Sequence, residues 1–334
     1  MLKLVICVLC WLLGGSLYSL GQAAPRPVAP RLRVIVDNDF SGDPDGLFQL
    51  AHLLLSPSVE VRGIIGSHLK VGDGFDPSAT QADNAARKAR EVMALLKMTG
   101  RVPVLAGANL GMRNDSTPIK SAGVDFIIKE ALRTDTQLPL YVLCGAGLTE
   151  IASAALTDPR IASRLTLVWI GGPEYPGRAL PPPHGTPLEY NLGIDIAAAR
   201  AVFNRTRLPL WQVPRNAYRQ ALLPYSQLLT KVRPRGKIGA YLSSSVESLM
   251  AGCHSTTLTS ARLTSWAIAR WCCSRPCNRR LRLTLLPANT PWSWRPASMG
   301  KARMSLTPTG GPFGCINAWI LGCYSTTFLP SWSC

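Results

Sequence analysis

From residue 31 onward the chain alternates between two hydrophobic periods. Short apolar, largely β-branched runs, such as Leu32-Arg33-Val34-Ile35-Val36, give way to longer stretches whose apolar positions recur at helical spacing. Strands are predicted over residues 32–36, 59–65, 102–105, 138–143, 165–170 and 208–213. Helices are predicted over residues 47–55, 80–99, 127–132, 148–156 and 194–203. Ser56-Pro57 and Gly100 stand where the first two helices should stop. Strand alternating with helix predicts an α/β fold, a mainly parallel open sheet with helices on both faces. Ligands bind such sheets beyond the carboxyl ends of the strands. The acidic segment from Asp37 to Asp45, Gly66-Ser67-His68, Gly145-Ala146-Gly147 and Gly171-Gly172 all follow strands there, so one rim should gather them.

Composition divides the chain near residue 250. All 19 acidic residues lie at or before Glu247, whereas residues 250–334 hold nine of the 36 Lys and Arg, seven of the ten Cys and six of the nine Trp. Of the formal charge of +17, that last segment therefore carries +9 and the rest only +8. The overall basicity does not describe the predicted domain, and no motif or periodicity in the tail supports nucleic-acid binding. The tail cysteines do not form a zinc pattern either, since Cys253-His254, Cys272-Cys273 and Cys277 are irregularly spaced. Lys3, the apolar stretch 4–13 and the small residues ending at Ala23 read as a cleaved signal peptide over residues 1–23. The apolar stretch is short for a bilayer span, so no stable membrane anchor is expected, and the protein is expected to be secreted or periplasmic. Residues 24–30, with three prolines, form a leader to a domain over residues 31–249. Cys144 is the only cysteine between Ala24 and Leu249, so this domain must be held by an ordinary core and not by disulfides.

The candidate chemistry lies in Asp37-Asn38-Asp39-Phe40-Ser41-Gly42-Asp43-Pro44-Asp45. Four aspartates in nine residues repel one another and call for a cation; hard divalent ions take such oxygen ligands. A solvated acidic turn is the plain alternative, but such turns rarely open directly from a buried strand. A calcium-binding helix–loop–helix would need a glutamate where Phe48 stands, and a helix where a strand precedes the loop. An Asp-x-Asp phosphatase would leave Asp43 and Asp45 without a purpose. Gly145-Ala146-Gly147 lacks the lysine of a phosphate-binding loop.

Residues 34–47 resemble the N-terminal motif of the inosine/uridine-type nucleoside hydrolases, usually Asp-Thr-Asp-Pro-Gly-x-Asp-Asp, with a loop one residue longer. Cys144-Gly145-Ala146-Gly147-Leu148-Thr149-Glu150 is similar to that family's Thr-Gly-Pro-Leu-Thr-Asn segment. Leu167 to Gly172 is similar to its strand ending in Met-Gly-Gly. Leu188-Glu189-Tyr190-Asn191, followed by Asp195 and alanines, resembles Glu-Phe-Asn followed by Asp-Pro-Glu-Ala-Ala. The resemblance implies hydrolysis of the N-glycosidic bond of ribonucleosides, with Ca²⁺ holding the attacking water. It implies Asp39 as metal ligand and general base, Asp45 as a second ligand that can exchange roles with Asp43, and the backbone carbonyl of Gly145 as a third. Asp43, His68, Glu189 and Asn191 would bind the sugar. Asn191 can equally bond loop backbone, His68 can be an ordinary loop histidine, and Asp195 reads as an N-terminal helix charge. His52, on a helix face, reads as packing. The partner implied is a small-molecule nucleoside; a homo-oligomer is compatible with the sequence.

The family supplies one more metal-binding Asp near the end of its domain, and no acidic residue follows Glu247. The acid-free tail is read as translated out of frame. Permitted codons for residues 265–273 can encode, in another frame, an Asp-containing segment like the one missing. Sequencing the gene across codons 245–270 decides this. The alternative to an active hydrolase is therefore a truncated, non-catalytic remnant that binds metal or sugar without turnover.

Overall fold

The computed structural model describes residues 28–183 and 185–252, together with short strands at 260–262, 292–295, 305–308 and 313–315. The expected signal peptide, most of the expected leader and most of the tail lie outside the described residues. Among the described residues no helix is long and apolar enough to cross a membrane.

Six parallel strands form the sheet: β1 (Arg33–Asn38), β2 (Glu60–Gly66), β3 (Val104–Ala106), β4 (Leu140–Cys144), β5 (Leu165–Ile170) and β6 (Leu210–Val213). Their order is β3-β2-β1-β4-β5-β6, and the strand Phe313–Cys315 adds in parallel to β6. All six residues of β1 are buried, as in a sheet covered on both faces. Alternation assigns its side chains. Val34 and Val36 join one hydrophobic cluster with helices α1 (Asp45–Leu55) and α2 (Gln81–Leu95). Ile35 joins the other with α3 (Ala122–Ala131) and α4 (Thr149–Thr157). Each fully buried Val, Ile or Leu contributes roughly 1.5–3 kcal/mol relative to exposure.

Among the elements that differ from the expectation, which include the unexpected helix Gly236–Gly252, three do so for physical reasons. The helix expected over 127–132 begins at Ala122, because the Ser121 hydroxyl accepts from Val124 N and caps it five residues earlier. The helix expected over 194–203 is two helices, α5 (Tyr190–Ile194) and α6 (Ile196–Arg205). Asp195 separates them in an extended conformation, and its side chain caps α6. The third strand is only Val104–Ala106, since Pro103 has no N–H to give the ladder.

The amino end of β1 carries a buried ion cluster. Arg33 and Glu130 are both about 5 % exposed, with Nη1 2.5 Å from Oε1. Arg62 Nε and Arg133 Nη1 reach the same Oε1 at 3.1 Å. Arg33 also donates to the carbonyls of Leu138 and Glu130, so the guanidinium is satisfied as well as neutralised.

Candidate active site

Strand order reverses between β1 and β4: the chain builds β1, β2 and β3 outward on one side, then returns to place β4 on the other. Loops diverge at such a switch point and leave a crevice at the strands' carboxyl ends. The loop after β1 and the loop after β4 flank it, the first carrying Asp39, Asp43 and Asp45, the second Gly145. Gly145 N donates to Asp37 O at 2.9 Å, which fixes the two loops side by side.

Asp37 belongs to the wall and not the mouth. The Ser67 hydroxyl donates to Oδ1, and Cys144 Sγ lies 3.7 Å from Oδ2. Burial raises its carboxyl to about 7 in spite of these donors. Burial likewise pushes the Cys144 thiol well above its ordinary value. Asn38 points the other way, donating from Nδ2 to Gln49 Oε1 at 2.8 Å. A Cβ on Gly145 would stand 2.4 Å from that buried amide. Asn38 thus occupies the space that a side chain at position 145 would need.

Asp39 is 8 % exposed, its loop turned by Gly42 N donating to Asp39 O at 2.6 Å. Desolvation raises its carboxyl well above the ordinary range, and the charges of Asp45, Asp73 and Asp37 raise it further. Asp43 is half-buried and is raised by desolvation and then by Asp45. Its Oδ1 accepts from Asp45 N at 3.2 Å. The neighbours that act on Asp39 are carboxylates, and such a group seeks either protons or a cation. The donor types suit a hard divalent cation: Asp39 and Asp45 can offer carboxylate oxygens and Gly145 its carbonyl. Among the described residues no three His, Cys, Asp or Glu side chains form a metal cluster.

The remaining expected residues are brought to the same rim. Asn191 Nδ2 donates to Gly145 O at 3.0 Å and to Ile170 O at 2.9 Å, joining the loops after β4 and β5. Glu189 is 1 % exposed and caps α5, accepting from Asn191 N, Leu192 N, Gly172 N and the Tyr218 hydroxyl. His68 is 3 % exposed, with Nδ1 2.8 Å from Leu69 O and Nε2 2.8 Å from Thr149 Oγ1. The arrangement gives Glu189 and His68 scaffolding partners on every polar atom.

Across the mouth, Tyr190 donates to Asp73 Oδ2 at 2.7 Å, and Lys70 Nζ sits 4.4 Å from its ring centroid. This contact joins the loop after β2 to α5 above the acidic loop. A buried carboxylate that sequence reasoning missed is Glu150. Burial, then the charge of Asp37, raises it to about 8, and its Oε1 accepts from Ala108 N at 2.7 Å. The only sequence signal was an acidic residue where the family motif has Asn. Asp73, Thr149, Tyr190 and Tyr218 were missed too, because their partners lie 29 to 117 residues away.

Carboxylates gathered where a parallel sheet reverses its strand order, with a polar rim beside them, define an α/β protein of nucleoside-hydrolase architecture. The model of the inosine-uridine preferring nucleoside hydrolases matches residues 34–269, and the chain belongs to that family. N-glycosidic hydrolysis of nucleosides is the family's activity, and the family is metal-dependent in general. Solved structures share the fold. An inosine-guanosine nucleoside hydrolase superposes with a TM-score of 0.61 at 13% identity, covering 86% of this chain and 94% of its own. A purine-preferring ribonucleoside hydrolase from Gardnerella vaginalis gives 0.59 at 20% identity, with 85% and 88% covered. An inosine-uridine preferring nucleoside hydrolase from Bacillus anthracis gives 0.55 at 16%, with 85% and 93% covered. No curated protein matches the chain in sequence.

Proposed function

We propose that this protein hydrolyses the N-glycosidic bond of ribonucleosides with the help of Ca²⁺ held by Asp39, Asp45 and the carbonyl of Gly145. The observation that carries the reading is the desolvated carboxylate of Asp39, raised by burial and by other carboxylates, at the switch point of the sheet. When bound, the cation would keep these carboxylates ionised and lower the pKa of a water in its shell. The protein's own part is then as follows. Asp39 accepts a proton from the water as its oxygen adds to the anomeric carbon and the bond to the base nitrogen breaks. Nearby carboxylates stabilise the positive charge that develops on the sugar ring. Asp43, half-buried at the mouth, receives ribose hydroxyls, and Asn191 fixes the Gly145 carbonyl from behind. Glu189 and His68 support this rim from within. Residues 1–23 direct export in this reading, and N-terminal sequencing of the mature protein from the periplasm or medium tests that.

A second reading is favoured by one observation: no acidic residue follows Glu247. The protein would then bind metal or sugar without turnover. Calorimetric titration with Ca²⁺, combined with release of base from inosine and uridine, separates the two. Micromolar or tighter binding with turnover supports the hydrolase. Binding without turnover supports the remnant, and no Ca²⁺ binding removes the Ca²⁺-dependent hydrolase and the metal-binding remnant alike.

A further inference from the structure

A long connection on the rim has little of its own to hold it. Between Gly172 and Glu189 run sixteen residues, 173–188, six of them proline, and those described lie in neither helix nor strand. Connections of this length without secondary structure are uncommon in compact domains, and proline has no N–H with which to tie one down. The grip comes from outside, from the helical turn Arg215–Tyr218 that follows β6. Arg215 Nε and Nη2 donate to the two carboxylate oxygens of Glu174 at 2.9 and 2.7 Å, and Nη1 donates to Thr186 O at 2.8 Å. One guanidinium therefore holds the outgoing and returning stems of the loop together. Tyr218 donates to Glu189 Oε1 at 2.7 Å, and Arg219 Nη2 donates to Leu180 O at 3.1 Å. A single turn thus grips the loop at its start, along its course and at its end.

Arg215 is 8 % exposed, and the Glu174 side chain only 5 %. Burial would raise the Glu174 carboxyl, yet the Arg215 guanidinium holds it below its ordinary value, so the pair stays charged. A planar guanidinium meets a carboxylate with two parallel bonds and keeps a further donor for the opposite stem, which the point charge of a lysine does not. Arg215 N also donates to Gly172 O at 3.0 Å, so turn and loop are joined through the backbone as well. A buried ion pair is weak evidence for stability. Its geometry here suits another purpose, the fixing of one loop in one place.

We infer that Arg215 is a positioning residue that clasps the loop after β5 into a fixed wall of the crevice. The loop returns through Glu189, Tyr190 and Asn191, and these reach the rim: Asn191 holds Gly145 O, and Tyr190 meets Asp73. A wall that is already ordered spares an incoming nucleoside the entropy of ordering it. Loosening the clasp should therefore weaken capture of substrate before it slows the chemistry. That consequence rests on the hydrolase reading; the clasp itself does not.

The test compares the full chain with Arg215→Met, which removes all three side-chain contacts, and Glu174→Gln, which leaves the hold on Thr186. Brief digestion with an arginine-specific protease reads the loop at the exposed Arg178; the exposed Arg113, in the loop after β3, serves as reference. Cleavage after Arg178 should quicken about tenfold in Arg215→Met, the scale on which a lost hydrogen bond to a charged group shifts local opening. The gain should be smaller in Glu174→Gln, and cleavage after Arg113 should keep its rate in both. Should Arg215→Met fail to fold, Glu174→Gln carries the test. KM for inosine should rise about tenfold in Arg215→Met with kcat within about threefold of the wild type, a split that a smaller folded fraction would not produce. Unchanged cleavage after Arg178 in whichever variants fold overturns the clasp, and quicker cleavage with KM unmoved overturns the wall. If the wild type releases no base, the hydrolase reading fails and the cleavage rates alone decide the clasp.

Discussion

Strand β1 buries a carboxylate problem at each of its ends and solves them differently. At its amino end, Glu130 receives three guanidinium groups, those of Arg33, Arg62 and Arg133. At its carboxyl end, Asp39 is surrounded by the charges of Asp45, Asp73 and Asp37. The same sheet buries both sites, so the difference is not one of environment in general. Where a carboxylate serves the fold, the sequence provides its counter-charge from nearby elements. Around Asp39 the charges that raise the carboxyl are those of other carboxylates, and the proposed function has a cation answer them. A buried carboxylate without a matching cation costs several kcal/mol, and under the proposed function a bound cation would offset that cost.

Four measurements break or sharpen this contrast. The largest effect should be Asp39→Asn, which removes the base. Base release from inosine or uridine should drop by about 10³-fold, within the range for general-base catalysis. Melting of the cation-free protein should not fall, because a repulsive charge has been removed; a marked loss of stability would place Asp39 among the structural carboxylates. Glu130→Ala should do the reverse. It leaves Arg33 buried and unpaired, lowering stability by about 3 kcal/mol in urea unfolding while kcat stays unchanged. Equal loss of kcat would dissolve the distinction between the two ends.

Cation removal comes third. Ca²⁺ at one hundred times its Kd should stabilise the protein by about 2.7 kcal/mol. A chelator should abolish that gain in the wild type and change nothing in Asp45→Asn. The smallest effect should come from Glu150, whose carboxyl burial raises from 4.5 to about 8. The folded state therefore binds a proton that the unfolded state releases. The stability it contributes is full below about 4.5 and is lost as pH rises through about 8. Glu150→Gln keeps the acceptor for Ala108 N and should flatten this decline, adding at least ~1 kcal/mol at pH 8. Parallel wild-type and variant profiles between pH 5 and 9 would refute the assignment.

Much of the architecture was legible in the sequence because parallel strands buried on both faces read as continuous apolar runs. Leu140 to Cys144 and Leu165 to Ile170 needed no partner information to be recognised. The acidic loop was legible for a related reason, since unpaired charge at the end of a buried strand is locally anomalous. Side-chain orientation was not legible. Asp195 was read correctly as a helix charge, but only one of its oxygens caps α6; the other is committed to Met112 and Thr149, 83 and 46 residues away. Glu189 was expected to face the sugar, yet it caps a five-residue helix and is covered by Tyr218. The exclusion of a side chain at Gly145 depends on Asn38 across the β1–β4 seam, which only strand order brings together.

That seam also carries Cys144, the only sulfhydryl between residues 24 and 249, fully buried beside Asp37. A thiol so placed reacts with an alkylating reagent only when the packing around it opens, which also loosens the crevice beside it. Its labelling rate is therefore an internal clock for opening of the site. Under the proposed function, occupation of the acidic loop by a cation should slow that clock.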